Sequence, residues 1–223
     1  MGVARHTITI PSEDAMASID SLRALLIEEL KDIYDAENRL TKAIPKLIKK
    51  STHDELKSAL QDHLEQTEEH VARIEQAFEE LDQSPKSKTC AGMKGLISEG
   101  DDHAGESYDN DGLRDAAIIG AAQRVEHYEI AAYGTAIAHA RLLELDGVVN
   151  LLEETLEEEK EADRKLTDIA ESVVNLDAES EEEQTASSSR SSSRRGMSMT
   201  GRGAGTRASA ADRARRARGR NRR

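Results

Sequence analysis

The sequence predicts an all-α protein, a four-helix bundle with one long crossover connection and disordered termini. Only 2% of its 223 residues are aromatic and none is Trp, so the core must be built from aliphatic side chains. Those side chains recur at intervals of three and four residues in four long segments, which is the period of an amphipathic helix. A β-sandwich would instead draw on aromatic and β-branched strands.

The first two segments predict a helical hairpin. The first runs from about 19 to 50 and contains Pro45, which should bend the helix. The second opens with Thr52-His53-Asp54-Glu55, a capping-box pattern, and continues to Leu81.

The second pair of segments follows a long connection over 82–112, which is rich in Gly, Ser, Asp and Lys and holds one short predicted helix around 92–107. The third long helix runs from the Asn110-Asp111-Gly112 turn to about Leu145. Asp146-Gly147 is expected to end it and to cap the fourth helix, at about 148–174.

Connections that are short, long and short again predict two hairpins joined by one crossover, which is the ferritin-like arrangement of a helical bundle. We place this bundle at residues 18–178. Residues 1–17 are predicted to be a flexible N-terminal segment, and 179–223 a disordered basic tail rich in Ser, Gly and Arg.

The charges are divided unevenly between the bundle and the tail. Residues 179–223 hold 12 Arg and five acids, whereas 1–178 hold 19 basic and 39 acidic residues. Such an acidic bundle disfavours direct binding of nucleic acid by the folded part. The Arg-rich tail could bind nucleic acid or another polyanion, fold back on the acidic bundle, or only keep the protein soluble.

The single cysteine, Cys90, excludes an internal disulfide and suits a reducing cytosol. No segment has 18 continuous apolar residues and the N-terminus lacks a signal-peptide pattern, so we expect a cytoplasmic protein without membrane contact. Cys90 begins the crossover's short helix near Lys86, Lys88 and Lys94, which would lower its pKa and allow a redox role. The favoured alternative is that Cys90 packs the crossover against the bundle.

Polar side chains interrupt the apolar seam of every long helix near its middle, where antiparallel helices meet at one level. Because the chain is 34% charged, any one of these residues could lie at a partly exposed edge, and each histidine could be a satisfied core or surface residue. Glu126 and Glu129 are not expected to be equally central. The interrupting residues are Glu37, His63, His70, Glu126, Glu129 and Glu159, with Asp163 one turn after Glu159.

Carboxylates that converge in an apolar interior repel one another and lose their hydration, which costs several kcal/mol each unless a positive charge lies among them. No Lys or Arg occupies those seams at that level. One or two metal ions would neutralise the acids, and carboxylate with imidazole suits iron or manganese better than copper or zinc.

Five strings resemble, in order and spacing, the YciE/YciF family of ferritin-like stress proteins over about residues 20–175. The resemblance implies a ferritin-like bundle, usually dimeric, with a role in general stress responses and the ferroxidase activity often assigned to the family. The strings are LKDIYDAENRLTKAIPKLIKK, HLEQTEEHVARIE, KTCAGMKGLISEG, RDAAIIGAAQRVEHYEIAAYGTA and LLEETLEEEKEADRKLTDIA.

The chain departs from the Glu-x-x-His pattern that di-iron carboxylate bundles carry on two helices. Thr67 precedes His70 by three residues, Leu60 precedes His63, and Ala162 follows Glu159. Asp163 replaces the missing histidine only imperfectly. These departures predict a weaker or differently shaped site, which could hold one metal ion in place of two.

The resemblance implies a homodimer. Together with the buried acids it predicts a protein that binds iron, either di-iron or mononuclear, or manganese, and oxidises Fe(II) with oxygen or peroxide. Glu37, Glu129 and Glu159 would hold the metal with His63 or His70, while Glu126 and Asp163 would bridge or support. One alternative is a non-catalytic stress-response dimer whose polar layer is a hydrogen-bonded network of partly protonated acids. Another is a protector of nucleic acid that acts through its tail.

Overall fold

The computed structural model describes residues 19–180, and these form five helices and a π-helical turn, without a strand. The helices are α1 Leu22–Lys50, α2 Asp54–Glu80, α3 Ala91–Gly105, α4 Asp111–Leu142 and α5 Asp146–Ile169, and the π-helical turn is Ala170–Val174. The predicted all-α class, with four long helices and one helix in the crossover, is confirmed.

The predicted flexible segment 1–17 and all but two residues of the predicted basic tail 179–223 lie outside the described residues, so the domain limits remain predictions. Among the helices of residues 19–180, none combines the length and the apolar character that crossing a membrane requires.

The four long helices are neighbours in the cyclic order α1, α2, α5, α4, and each is antiparallel to both of its neighbours. Between α1 and α4, Glu29 contacts His139 and Glu37 contacts Tyr133, so the numbers rise on one helix as they fall on the other. Between α2 and α5, Asp62 contacts Lys165 and His70 contacts Glu158, so here too the numbers rise on one helix as they fall on the other.

The crossover helix α3 lies against α1 and α4 and runs parallel to α1. At its start the Cys90 N–H donates to Asp35 at 2.8 Å, and near its end Lys46 of α1 contacts Asp101 at 2.9 Å. The Cys90 sulfur accepts from the Met93 N–H, which makes Cys90 the N-cap of α3. The crossover therefore returns the chain along the bundle before α4 begins.

The start of α2 differs from the predicted capping box. His53 is the N-cap, without a side-chain cap bond, and the Thr52 hydroxyl donates to Asp115 of α4 at 2.7 Å. Asp115 is buried and also accepts the backbone N–H groups of Thr52 and His53 at 2.9 and 2.7 Å. The capping-box prediction was wrong because a distant carboxylate supplies the acceptor for these amides.

The turn between α4 and α5 also differs from its prediction. The left-handed residue is Glu144, at φ 57°, and the N–H of Leu145 bonds to the carbonyl of Ala140, which closes a Schellman motif. Helix α4 thus ends at Leu142, before the Asp146-Gly147 pair that was expected to break it. Gly147 lies in the first turn of α5, where a Cβ would come within 2.8 Å of the Glu80 carboxylate.

The end of the described chain packs against the start of α4. A Cβ on Gly112 would lie 2.7 Å from the backbone nitrogen of Ala178, so this approach requires glycine. The π-helical turn precedes this contact. Val174 at its end is buried, as are Ile169 before it and Ala178 after it.

The bundle core consists of two apolar clusters. The first cluster includes Leu40, Ile44, Leu60, Ile118, Val125 and Leu166, and the second includes Leu30, Ile33, Ile74, Phe78, Tyr133 and Leu152. On each long helix the residues of one cluster give way to those of the other across the polar positions near mid-helix. A buried polar layer therefore separates two aliphatic halves of the core.

Replacing Asp115 by alanine is expected to lower the free energy of unfolding by about 3 kcal/mol, since two backbone amides and a hydroxyl at the start of α2 would lose their buried acceptor. Urea unfolding followed by circular dichroism measures the effect. Asp111→Ala, an exposed acid in the first turn of the same helix, should cost less than about 1 kcal/mol. Equal losses in both variants would contradict the role of Asp115.

Candidate metal centre

The polar layer brings six of the predicted residues together in two groups that could each hold a metal ion. His63, Glu126, Glu129 and Glu159 form one group, and Glu37, His70 and Glu159 form the other. In each group the potential ligand atoms lie within 4.8 Å of one another. Because Glu159 belongs to both groups, the two positions are adjacent.

These six side chains are buried, and most of their polar atoms have no hydrogen-bond partner. Glu37, His70 and Glu159 are 0% exposed and His63, the most accessible of the six, is 6% exposed. In residues 19–180, ten buried side-chain nitrogen or oxygen atoms lack a partner, and nine of them belong to these six residues. Buried polar atoms are normally paired, so this concentration marks the layer as a candidate binding site.

His70 lies at the centre of the second group. Its Nδ1 is 3.0 Å from Glu159 Oε1 and 3.6 Å from Glu37 Oε1. The Tyr133 hydroxyl, which is also fully buried, donates to the Glu37 oxygen nearest His70. Glu37 is thereby fixed between α4 and α2, with its second oxygen unpartnered.

The other ring nitrogen of His70 contacts a carboxylate outside the group. Its Nε2 is 2.9 Å from Glu158 Oε2, and Arg73 in turn holds Glu158, with further contacts to Glu154 at 3.1 Å and to Thr155 at 3.3 Å. A carboxylate that accepts one ring N–H of a histidine directs its other nitrogen toward a metal. Nδ1, facing Glu37 and Glu159, is therefore the atom of His70 available for a metal.

His63 lies at the opposite end of the layer without such support. Its Nε2 is 3.4 Å from Glu126 Oε1 and 3.8 Å from Glu159 Oε2, and neither ring nitrogen has a hydrogen-bond partner. Thr67, one turn along α2, is fully buried, but its hydroxyl donates to the His63 carbonyl at 2.8 Å. Thr67 is thus satisfied within its own helix.

The four acids of the layer differ in the direction in which their pKa is shifted: it is raised for three of them and lowered for one. Burial, and next the charge of a neighbouring glutamate, raises the pKa of both Glu126 and Glu129 well above the ordinary value. Burial also raises the pKa of Glu37, although His70 and Tyr133 oppose the rise. Burial alone would raise the pKa of Glu159 too, but the close approach of His70, and next of His63, brings it below the ordinary value.

His70 supplies the positive charge of the metal-free layer. Burial disfavours its charged form, but the Glu159 and Glu37 carboxylates outweigh burial and raise the pKa of His70 to about 10. One imidazolium cannot balance four ionised carboxylates, so repulsion between the acids adds to burial in favouring the protonated state of Glu126 and Glu129.

Asp163 lies outside both groups. Its Oδ1 accepts from Gln123 at 3.1 Å and is 3.4 Å from the ring of exposed His127. Glu126 and Glu129 are 2% and 1% exposed and lie in the same group, so the expectation that only one of them is central was wrong. Both fit because α4 faces the layer with two successive seam positions.

Three residues around the layer were missed from sequence: Tyr133, Glu158 and Arg73. Tyr133 lies on the apolar seam of α4, and only the polar tip of its ring reaches Glu37. Arg73 is a cation near this level, but it faces Glu158 and Glu154 and does not reach the four central carboxylates. Because His70 and Arg73 lie one turn apart on the same face of α2, their spacing could have predicted that they share a partner on a neighbouring helix.

The predicted low pKa of Cys90 was wrong. Its thiol is 0% exposed, and burial, followed by the neighbouring Asp32, raises its pKa. The sulfur shares a 3.0 Å hydrogen bond with the Tyr128 hydroxyl, which itself donates to Asp32 at 2.9 Å. Cys90 packs α3 onto the bundle, which was the favoured alternative.

Comparison with known proteins places the chain in a recognised family. The family model described as a domain of unknown function, DUF892, matches residues 21–179. The protein YciF of Escherichia coli K12 is 43% identical over 164 residues, which cover 73% of this chain and 98% of that protein.

Solved structures agree with this result. The crystal structure of the Escherichia coli stress protein YciF matches with a TM-score of 0.67 and 43% identity, covering 70% of this chain and 98% of that one. The structure of YcfI from Rhodopseudomonas palustris matches with a TM-score of 0.66 and 44% identity, covering 68% of this chain and 96% of that one. A Xanthomonas campestris protein, 23% identical with a TM-score of 0.57, shares the fold.

Glu129→Leu is expected to stabilise the metal-free protein by about 2 kcal/mol, because an unpartnered buried acid is replaced by an apolar side chain of similar size. Chemical unfolding in the presence of a chelator measures the change. Glu65→Leu makes the same replacement at an exposed position of α2 and should stay within about 0.5 kcal/mol of the wild type. Destabilisation by Glu129→Leu would show that the carboxyl group is already well paired without metal.

The advantage of Glu129→Leu should grow with pH. Because the pKa of Glu129 is raised in the folded state, its protonated form is favoured there, and the wild type loses stability as pH rises above the ordinary value of 4.5. The variant lacks this loss, so the difference between the two should widen by up to about 1.4 kcal/mol per pH unit. Unfolding curves with chelator at pH 5, 6 and 7 test this, and a constant difference would contradict it.

Proposed function

This chain belongs to the DUF892 family, and from that premise we propose that it is a ferritin-like metal-binding protein that oxidises Fe(II) during stress. The observation that carries the proposal is the set of nine buried, unpartnered nitrogen and oxygen atoms on six residues of the central layer. A hydrogen-bonded network of protonated acids, the non-catalytic alternative, would pair such atoms with one another. Glu129 has no partner for either oxygen, which favours the metal.

The composition of the layer supports two metal positions. Ferritin-like di-metal bundles take four glutamates and two histidines from four helices, with Glu-x-x-His on two of them. Here α1 supplies Glu37, α2 both histidines, α4 Glu126 and Glu129, and α5 Glu159. The set is the same, although its distribution among the helices differs. Two divalent ions would balance four ionised carboxylates with both histidines neutral.

Each position has its own histidine. His70, Glu37 and Glu159 would hold one ion, and His63, Glu126, Glu129 and Glu159 the other, with Glu159 shared. Oxygen-rich sets with one imidazole per ion suit iron or manganese, whereas thiolate-free sites of this kind give zinc and copper fewer of the ligands that they favour. When bound, iron supplies the one-electron chemistry of the reaction.

The reaction proposed takes Fe(II) as its substrate. Two Fe(II) ions lose one electron each, and dioxygen takes up two electrons and two protons to give hydrogen peroxide. If the oxidant is hydrogen peroxide, two electrons and two protons convert it to two water molecules. The reaction therefore removes two species, Fe(II) and an oxidant, whose free combination damages cells.

The side chains of the layer serve binding and orientation. Glu126 and Glu129 lose their protons when the cation enters, so binding releases protons and strengthens as pH rises. Tyr133 orients Glu37, and the Arg73–Glu158 pair fixes the ring of His70 through Nε2. The two apolar clusters exclude bulk water from both sides of the layer.

The role in stress is proposed from the similarity to YciF of Escherichia coli, which is described as a stress protein. The chemistry is consistent with such a role because oxidative stress raises the concentrations of both free Fe(II) and peroxide. The predicted dimer and the predicted binding of polyanions by residues 179–223 are further proposals that the described residues do not address.

Metal analysis of protein purified without chelators should find iron or manganese bound at a ratio of up to two ions per chain. With Fe(II) added anaerobically and oxidant then admitted, we expect Fe(III) to form at least tenfold faster than in Glu129→Leu, because one ligand set loses a carboxylate. The rate is followed by the absorbance of Fe(III).

Glu65→Leu is the matched control and should behave as the wild type in both measurements. Absence of bound metal, together with thermal stability that does not respond to added Fe(II) or Mn(II), would exclude the proposed function. Binding of metal with oxidation no faster than in Glu129→Leu would leave a metal-binding protein without this activity.

A further inference from the structure

Two cavities reach the metal centre from outside, and both reach it at His63 and Glu126. One, the α2–α5 pocket, has a cavity volume of about 140 Å³ and opens between α2 and α5. The other, the apolar pocket, has a cavity volume of about 30 Å³ and lies beside α1, α3 and α4. Neither is lined by Glu37 or His70.

The side chains at the mouth of the α2–α5 pocket are polar, and two of the four are acidic. Asp62 and Glu161 are exposed, Gln66 lies deeper, and Lys165 contacts Asp62 at 2.7 Å. The apolar pocket is lined mainly by Leu, Ile, Val and Ala, with Asp101 at its margin. A cation that leaves water needs replacement oxygen ligands along its path, and only the first pocket offers a series of them.

His63 provides an independent observation at the inner end of the α2–α5 pocket. It is 6% exposed, it lines the pocket, and neither of its ring nitrogens has a hydrogen-bond partner. Glu126 lines the same pocket and also keeps one oxygen without a partner. The pocket therefore connects the acids at its mouth with potential ligand atoms that have no hydrogen-bond partner.

The other end of the layer, which holds Glu37 and His70, is covered by neighbouring side chains. Glu37 and His70 are 0% exposed, and Tyr133 lies over the first while Glu158 and Arg73 lie over the second. An ion that entered there would have to displace the Arg73–Glu158 ion pair. Entry at the His63 end requires no such displacement.

We propose that divalent cations enter and leave the metal centre through the α2–α5 pocket, guided by Asp62 and Glu161 to His63 and Glu126. This inference rests on the proposed function, because it takes the central layer as a metal site. Lys165 acts against entry, both through its positive charge and by occupying Asp62. The ion reaches the group that contains His63 first, and the group that contains His70 is filled from it.

The test is the rate of metal loading, which is read without any oxidation. Metal-free protein is mixed rapidly with Co(II) at low ionic strength, and the visible absorbance of the bound ion is followed. We expect Asp62→Asn combined with Glu161→Gln to slow loading at least about fivefold, with the final number of ions unchanged, since acids at a mouth raise the local concentration of cations. Lys165→Gln should accelerate loading, and added salt should reduce both differences.

Two controls separate a local effect from a general loss of negative charge. Glu68→Gln combined with Asp168→Asn removes the same charge from exposed positions of α2 and α5 that do not line the pocket, and should load at nearly the wild-type rate. Asp101→Asn removes an acid at the apolar pocket and should also have little effect. Ala162→Leu, which narrows the α2–α5 pocket without changing charge, should slow loading.

Equal rates for the mouth variant and its charge control would overturn the inference, as would slowing by Asp101→Asn alone. Either result can occur while the wild type still binds metal and oxidises Fe(II), which would leave the proposed function intact. If the wild type binds no Co(II), Mn(II) or Fe(II) at equilibrium, the proposed function and the entry route are both overturned.

Discussion

The cost of placing four carboxyl groups between two apolar clusters is the constraint on which the rest of this structure depends. Each acid loses its hydration, and each meets another acid at short range, so the layer is unfavourable in isolation. The bundle tolerates it through His70, which becomes a cation, and through Glu126 and Glu129, whose pKa values rise. The aliphatic halves on either side must supply the stability that the layer lacks.

The fold and the central residues of the site could be predicted because both follow from the helical period of the apolar residues. A spacing of three and four residues defines four helical seams, and short, long and short connections define how the helices pair. Polar residues on a seam then fall at the same level when helices are antiparallel. Glu37, both histidines and the three buried glutamates of α4 and α5 were found in this way, although sequence alone did not show that Glu126 and Glu129 face the layer equally.

What sequence could not supply were contacts that depend on the reach of a side chain between helices. In the sequence, Tyr133 looks like an apolar seam residue and Glu158 like a surface acid. Only the structure shows that the Tyr133 hydroxyl contacts Glu37 and that the Glu158 carboxylate contacts His70. The capping box failed for the same reason, since Asp115 lies 63 positions beyond Thr52. Asp163 is one turn from Glu159, yet the direction of its side chain takes it to Gln123.

The π-helical turn at Ala170–Val174 has a consequence for how this chain tolerates changes in length. Buried Ile169 and Val174 are five residues apart, one more than an α-helix would place between neighbours on one face. A chain with one residue fewer here would present the same apolar face through an unbroken α-helix and still bring its last turn to Gly112. Deletion of a single residue should therefore be accommodated in this segment, while the spacing of the helices that carry the central layer is preserved.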